Sequence, residues 1–510
     1  MAERNSRNEL AWGAENQEKL RKSKVLVAGT DILGQMVLGG LAGLGIGSIH
    51  LMDNRRVSRG DYDFLCSQTN TDIGQKKTSH IRSTLESINP SIDAVVAIHS
   101  RFSEALAYPL RPDIIVDATN DRLTKKKTSE YAAKYRIPVI SASSGSSKAA
   151  VSVFSPARKI KPMHSSADLD SLLMDEFYKE TQSPVAGGVI AGIACEEVRK
   201  QIFAYDKKDT PLQNRKKIMY NLNSESRTGV SEPQNIASYF RHRKMLVAGA
   251  GGIGTFVCLN LALLGVGSID IVDFDSVEEH NLNRQLLFYG RQGELKAEVM
   301  AGRIALIDPH ADASAFSARV GKIDMKKDRP WLEELYETDR KLWEQEDDNT
   351  REPDYPGFED YVKKNFGYQK DRLLDEKIAE KGYDMIFGCL DNKYARIWLN
   401  NFSVNNKIPY IDGGTAARSG QVAVYVPGNT SCVDCQLDLK HLKRIPMHCH
   451  EADASVVMSN MVIGSAMVGE AVRIFSGAAP LNGILRYDPF SDSRLYIDNK
   501  RTRFAKKHGC

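Results

Sequence analysis

The chain has 510 residues, 42% hydrophobic and 26% charged, which excludes collagenous, coiled-coil and wholly disordered chains and calls for more than one core. Its 69 Lys and Arg against 65 Asp and Glu leave a net charge of +4, no whole-chain footprint for nucleic acid, although the tail 500–507 is locally basic. No apolar run is long enough to span a membrane and the polar start Met1-Ala2-Glu3-Arg4-Asn5 carries no signal-peptide core, so a cytoplasmic protein with neither nucleic acid nor membrane as partner is expected.

In chain order, segment 24–53 (KVLVAGTDILGQMVLGGLAGLGIGSIHLMD) reads as strand, Gly-bearing turn, helix and strand. Apolar β-type runs follow at 114–116 and 138–140, then a helical pattern at 187–203. Segment 244–273 (KMLVAGAGGIGTFVCLNLALLGVGSIDIVD) repeats 24–53 without gaps, at an offset of 220 residues and with half the positions identical. A period this long is not a solenoid repeat; it marks two whole domains of one fold. Apolar runs recur at 385–387 and 409–411, and a helical pattern at 462–475. The β-α-β units imply parallel sheets with crossover helices. The expected fold class is therefore α/β, with two tandem Rossmann-like doubly wound domains over 1–225 and 235–510 and a junction near 221–234. Segment 322–382 has no counterpart in the first half and is dense in charge, with Trp, Leu and Tyr at roughly helical spacing. It reads as a helical insertion, either solvated or a docking element for a partner.

The turn Gly249-Ala250-Gly251-Gly252-Ile253-Gly254 follows a strand and opens a helix, where glycines let backbone N–H groups approach a phosphate. Asp273, closing the second strand, is placed to accept hydrogen bonds from a ribose. Taken alone, this is a generic dinucleotide fingerprint. The residues after it, Asp275, Asn281, Arg284, Gln285 and Lys296, put cations and amides at the phosphate end of a nucleotide. Hydride transfer has no use for them, whereas phosphoryl or nucleotidyl transfer does, because charge builds on phosphate oxygens. Asp391, with Asn392 beside it, ends a strand at the carboxyl edge of the sheet, where a carboxylate can hold Mg2+ against those phosphates.

In the first half the same positions have changed. Asp31 and Ile32 stand for Gly251 and Gly252, Arg55 for Asp275, Asp61 for Asn281, Phe64 for Arg284, and Asn120 for Asp391. A lysine survives as Lys76 or Lys77. The first site is read as dead.

Eight cysteines are too scattered for a disulfide scaffold; only Cys432 and Cys435 form a C-x-x-C pair, which suits metal or redox chemistry. Cys66, Cys195, Cys258 and Cys389 lie in apolar runs or the dead half and read as core residues.

The ordered set GAGGIG, DFD, NLNRQ, Lys296, LDN and IDGGT (411–415) resembles the adenylating domain of the ubiquitin-like-modifier activating enzymes. Their bacterial relatives adenylate sulfur carriers of thiamine and molybdopterin synthesis. The resemblance implies ATP and Mg2+ as ligands. It places Asp273 on the ribose, Asn281, Arg284, Gln285 and Lys296 on the phosphates, and Asp391 on Mg2+. It implies a silent copy packed on an active one as an intramolecular pseudo-dimer, with Arg7 of segment 6–13 lent to the active site; Leu10 stands where the eukaryotic members carry a second arginine. Cys432 and Cys435 would supply half of a structural Zn2+ site, with Cys510 as a third ligand and either His508 or a residue beyond this end as the fourth. Cys449, 14 residues past Cys435, matches the nucleophile that forms a thioester, although His448, Cys449 or His450 could instead bind a metal. The segment 430–455 would carry this zinc and cysteine chemistry.

The implied partners are a β-grasp protein ending in Gly-Gly and a conjugating enzyme. Against the family pattern, no ubiquitin-fold domain is expected after the zinc-type tail and no large cysteine domain after Cys449; the insertion could substitute for one of them. Adenylation of a sulfur carrier for thiocarboxylate formation is the alternative reading. An idle β-grasp-binding scaffold and a nicotinamide-dependent oxidoreductase rank behind it.

Overall fold

The computed structural model describes residues 2–58, 63–65, 72–155, 172–178, 180–203, 211–212, 216–227, 239–321, 323, 325–345, 355–366, 372–373, 380–441 and 454–499. Among them, the first half forms a seven-stranded sheet from β1 (Lys24–Ala28), β2 (Ser48–Met52), β3 (Ala94–Ile98), β4 (Ile114–Asp117), β5 (Val139–Ser144), β6 (Lys148–Phe154) and β7 (Lys217–Asn221), in the order β3-β2-β1-β4-β5-β6-β7. The second half contributes β8 (Lys244–Ala248), β9 (Ser268–Val272), β10 (Asp312–Phe316), the small pair β11 (Arg319–Val320) and β12 (Arg372–Leu373), then β13 (Met385–Gly388), β14 (Tyr410–Thr415), β15 (Gly420–Tyr425), β16 (Ile484–Tyr487) and β17 (Leu495–Asp498). Its main sheet runs β10-β9-β8-β13-β14-β15-β16-β17, the same topology with one more strand.

The five strands that share crossovers in each half are parallel, as expected. The small β11–β12 pair is also parallel, whereas the last strands of each main sheet are antiparallel. Only a few residues separate β5 from β6 and β14 from β15, too few for a crossover, so each pair closes as a hairpin.

Besides a single turn at Glu104–Ala107, the described α-helices are α1 (Ala2–Trp12), α2 (Ala14–Lys22), α3 (Ile32–Leu44), α4 (Lys77–Ile88), α5 (Arg122–Tyr135), α6 (Pro184–Phe203), α7 (Gly252–Leu263), α8 (Lys296–Ile307), α9 (Met325–Gln345), α10 (Phe358–Phe366), α11 (Lys393–Asn406), α12 (Val433–Leu437) and α13 (Val457–Phe475). Helices α3, α6, α7 and α13 are buried nearly all round rather than along one stripe, which places them between layers of protein. Helix α6 packs against α3 of its own half and against α13 of the other. Each is the late helix of its half, so equivalent faces meet, as a twofold interface requires.

The approach is close because small residues line it. A Cβ at Gly188 would lie 2.2 Å from Ser465 Oγ, and one at Gly192 would lie 2.6 Å from Val462 Cγ2 and 2.9 Å from the Met458 carbonyl. One continuous apolar cluster runs through both halves. Buried ion pairs cross it: Arg227 holds Glu470 through two contacts of 2.7 Å, and Arg494 holds Glu197 at 3.0 and 3.1 Å. The two doubly wound domains thus form an intramolecular pseudo-dimer.

One buried charge pair is built differently in the two halves. The fourth residue of the helix after β4 is Lys125, whose Nζ meets Asp117 on β4 and donates to Ser141 Oγ on β5. The fourth residue of the helix after β13 is Arg396, which pairs with Asp412 on β14. Asp117 lies beside Ser141 and Gly388 beside Asp412, so the acid has moved one strand over while the base stays on its helix turn.

The insertion is not simply a solvated appendage. Leu332, Leu335, Tyr361 and Phe366 join a second apolar cluster with Tyr394 and Ile397 of α11. At its centre, buried Asp339 pairs with Lys393 Nζ at 2.5 Å and accepts from the hydroxyls of Tyr361 and Tyr394, both at 2.8 Å. Its charged residues cover the outer face, with Arg329–Glu333 and Arg340–Glu344 spaced one helical turn apart.

Two substitutions test this packing by thermal unfolding of the full chain. Gly192→Val should destabilise by about 1–3 kcal/mol, because neither a helix backbone nor Val462 can give way. Asp339→Ala should destabilise by about 3–5 kcal/mol, because it strands the Lys393 ammonium inside the protein.

Candidate nucleotide site

In the second half the strand order reverses between β8 and β13, so a crevice opens at the carboxyl ends of these strands. Gly249 leaves β8 with φ of +95°, its N–H bonded to the Val272 carbonyl at 2.8 Å. A Cβ there would sit 2.6 Å from the Cys389 carbonyl, and one at Gly254 would sit 2.0 Å from the Gly249 carbonyl. Both positions therefore need glycine for backbone approach. At Gly251 the nearest atom to a Cβ would be Gln285 Nε2 at 3.8 Å, so the mouth of the turn is open.

Asp273 follows β9 and accepts from the N–H groups of Ala250 at 2.7 Å and Asp275 at 2.9 Å. Burial raises its pKa, opposed by Lys296 and the backbone donors. Lys296 is the first residue of α8, is buried, and pairs with exposed Asp275 at 2.9 Å. Arg284 donates from Nη1 to the His280 carbonyl and Asn283 Oδ1, both at 2.8 Å. Burial, with Arg7 nearby, pulls its pKa down to about 10, while Asp391 acts in the opposite direction. Gln285 is buried with Oε1 lacking a hydrogen-bond partner.

Two predicted residues are already committed to local structure. Asn281 Oδ1 accepts from the Glu278 N–H in a capping box, and Asn392 Oδ1 caps α11 through Tyr394 at 2.8 Å. Asp391 is exposed on the loop just before that cap.

Arg7 comes from the other half. Helix α1 lies against the 279–285 turn: Arg4 donates to the Leu282 carbonyl at 2.9 Å, and Asn8 Oδ1 accepts from Asn283 Nδ2 at 2.8 Å. Arg7 Nη2 lies 3.5 Å from His280 Nε2 on the same helix face. Sequence reasoning missed Arg4, Asn8 and Asn283, whose partners lie more than 270 residues away. It also missed Asn460, whose Oδ1 would be 2.6 Å from a Cβ at Gly252 and which shuts that side of the turn.

The first-half crevice is filled from within. Arg55 pairs with Asp31 and with Asp53, the latter at 2.5 Å, and Asp53 also accepts from the Thr30 N–H at 2.7 Å. The charge of Asp31 is thereby neutralised, and the guanidinium between two carboxylates occupies the place. The strand registers put Asn120 at the position of Asp391, and its amide bonds to the Ser144 carbonyl at 2.7 Å. The surviving lysine is Lys77, first in α4 as Lys296 is first in α8; it is buried against Asp63 at 2.7 Å. Phe64 is buried, and Asp61 lies outside the described residues.

The crevice can take a triphosphate. The open turn and three cations suit a polyanion, and the exposed carboxylate of Asp391 suits Mg2+ shared with phosphates. Cys432 and Cys435 are both buried at the start of α12, with Cys432 as its N-cap. Cys66, His448, Cys449, His450, His508 and Cys510 lie outside the described residues. Among the described residues, no group of three or more metal-binding side chains is present. None of their helices is long and apolar enough to cross a membrane.

Such a tandem of doubly wound domains, one crevice closed by ion pairs and the other lined with cations, has known relatives. The chain belongs to the ThiF family, whose model matches residues 5–238, 237–340 and 360–510. It is 29% identical over 248 residues to a NEDD8-activating enzyme E1 catalytic subunit of Caenorhabditis elegans, covering 44% of this chain and 45% of that protein. It is 31% identical over 194 residues to SUMO-activating enzyme subunit 2 of Dictyostelium discoideum, covering 38% and 22%. The chain thus spans less than half the length of these relatives. Among solved structures it is similar to E. coli MccB with ATP, at 20% identity and a TM-score of 0.36, over 54% of this chain and 67% of that one.

Calorimetric titration with ATP and Mg2+ should saturate at one site per chain. Arg284→Ala should weaken binding about tenfold, the loss of one charge-assisted contact, and Arg55→Ala should leave the affinity unchanged.

Proposed function

We propose that the chain activates the C-terminal carboxylate of a ubiquitin-like β-grasp protein ending in Gly-Gly. The observation that carries this reading is the convergence of Arg7, Arg284 and Lys296, from both halves, on one crevice faced by Asp391. The names of the relatives, NEDD8- and SUMO-activating subunits, favour a modifier over a sulfur carrier as the protein activated.

Asp273 holds the ribose, and the backbone of the 249–254 turn with Gln285 lies along the phosphates. A carboxylate oxygen of the incoming glycine attacks the α-phosphorus of ATP, and pyrophosphate leaves. Arg7, Arg284 and Lys296 offset the charge that builds on the phosphate oxygens, and Asp391 would hold a Mg2+ that adds to this compensation when bound. Asp275 holds the buried Lys296 until an anion competes for it. The Cys449 thiolate then attacks the acyl carbon, AMP departs, and a thioester forms for transfer to a conjugating-enzyme cysteine. Cys432 and Cys435, with Cys510 and either His508 or a residue beyond this end as the fourth ligand, would hold a structural Zn2+. We place this activity in the cytoplasm.

Incubation with ATP, Mg2+ and a Gly-Gly-tailed β-grasp protein, resolved on gels with and without thiol, tests the reading. A thiol-sensitive adduct absent in Cys449→Ala is expected. Pyrophosphate exchange that Cys449→Ala leaves unaltered, with no adduct, would instead assign the chain to sulfur-carrier adenylation. Asp391→Ala should lower exchange by about 100-fold or more, as loss of one transition-state charge contact does.

A further inference from the structure

The insertion meets the second half at two places, and these belong to different steps of the chemistry above. Asp339 of α9 holds Lys393 and Tyr394, the first residues of α11, which directly follow Asp391 and Asn392. The same helix also packs on the single turn Leu439–His441. There Leu332 and Leu335 share a buried apolar cluster with Leu437 and Leu439. Lys440, with a side chain only 14% exposed, pairs with Glu334 at 2.8 Å.

The turn is held from its other side as well. Asp434 of α12 accepts from the Leu439 N–H at 3.0 Å and donates its own N–H to Asn400 of α11 at 3.2 Å. Asp438 takes a φ of +53° to lead the chain out of α12. The stretch 432–441 is thus a packed knuckle between α11 and α9.

None of the groups assigned to the nucleotide lies in this knuckle, so adenylation does not call for a firm one. The thiol step does. Cys449 follows His441 by eight residues, and eight residues reach at most roughly 28 Å from their root. If the root wanders, the end of the tether samples a larger volume, and the effective concentration of the thiol at the acyl carbon falls.

We propose that α9 is a brace for thioester formation. It clasps the 439–441 turn while Asp339 ties it to α11 beside Asp391, and so sets the crevice against the root of the segment that carries Cys449. Glu334 and Lys440 are positioning residues in this device. Its catalytic consequence rests on the activation reading; the clasp itself does not.

The full chain is compared with Glu334→Lys, Lys440→Glu, the double variant and Leu335→Ala, given ATP, Mg2+ and a Gly-Gly-tailed β-grasp protein. Pyrophosphate exchange should stay within about twofold of wild type in all four, which also reports that they fold. Formation of the thiol-sensitive adduct should slow about threefold in each single charge variant, recover in the double variant, and slow further in Leu335→Ala. Exchange and adduct falling together, an unchanged adduct rate, or no recovery in the double variant would overturn the proposal. Hydrogen–deuterium exchange reads the clasp without any activity: the amides of 439–441 should lose protection in Leu335→Ala, and unchanged protection would overturn it. Absence of pyrophosphate exchange in the wild-type chain would count against the activation reading, and the hydrogen exchange would still decide the clasp.

Discussion

The structure depends on how closely α6 and α13 approach. At Gly188 and Gly192 no side chain separates the two helices, and Ser465, Val462 and the Met458 carbonyl occupy the room. That approach merges two apolar cores into one and fixes the distance between the halves to within a methyl group. The polar ties around it follow: Asn8 to Asn283 at 2.8 Å, and Arg4 to the Leu282 carbonyl at 2.9 Å, could not span a wider seam. So the placing of Arg7 is decided by glycines far from it in sequence.

The same seam explains why the first half keeps its fold although its crevice is filled. Equivalent helix faces meet across it, so each half needs the other's surface to cover its own. Nothing at the seam requires a working crevice in both. In the first half the crevice has been filled by Arg55 between Asp31 and Asp53, a change that leaves no charge stranded. A filled crevice and retention of its scaffold are therefore compatible.

Much of this was legible in the chain because it is local. The glycine turn, the strand ending in Asp273, and the doubled 24–53 pattern all express backbone needs within thirty residues, and the two sheets follow the implied connectivity. The site residues divide by the same rule. Gly249, Asp273, Lys296 and Asp391 stand at element ends that periodicity marks, so their clustering followed from topology. Asn281 and Asn392 look like ligands in the sequence, but their side-chain oxygens are taken by a capping box and a helix cap. Asp339 was hidden among many acids of the insertion. Only the fold shows that it is the buried one, held by Lys393 and two tyrosines. His280 and Arg4 gave no signal at all, since their meaning lies in partners on the other half.

The displaced acid, Asp117 on β4 in one half and Asp412 on β14 in the other, bears on the history of the duplication. Two copies of one domain in a single gene can be homogenised by recombination between them. Here, replacing the β4 stretch with its β13 counterpart would leave Lys125 without its carboxylate, because Gly388 stands at that place. The reverse exchange would put a second acid beside Asp412, facing one arginine. Either hybrid buries an uncompensated charge, a loss of about 3–5 kcal/mol. The two copies, alike in fold, are therefore not interchangeable strand by strand.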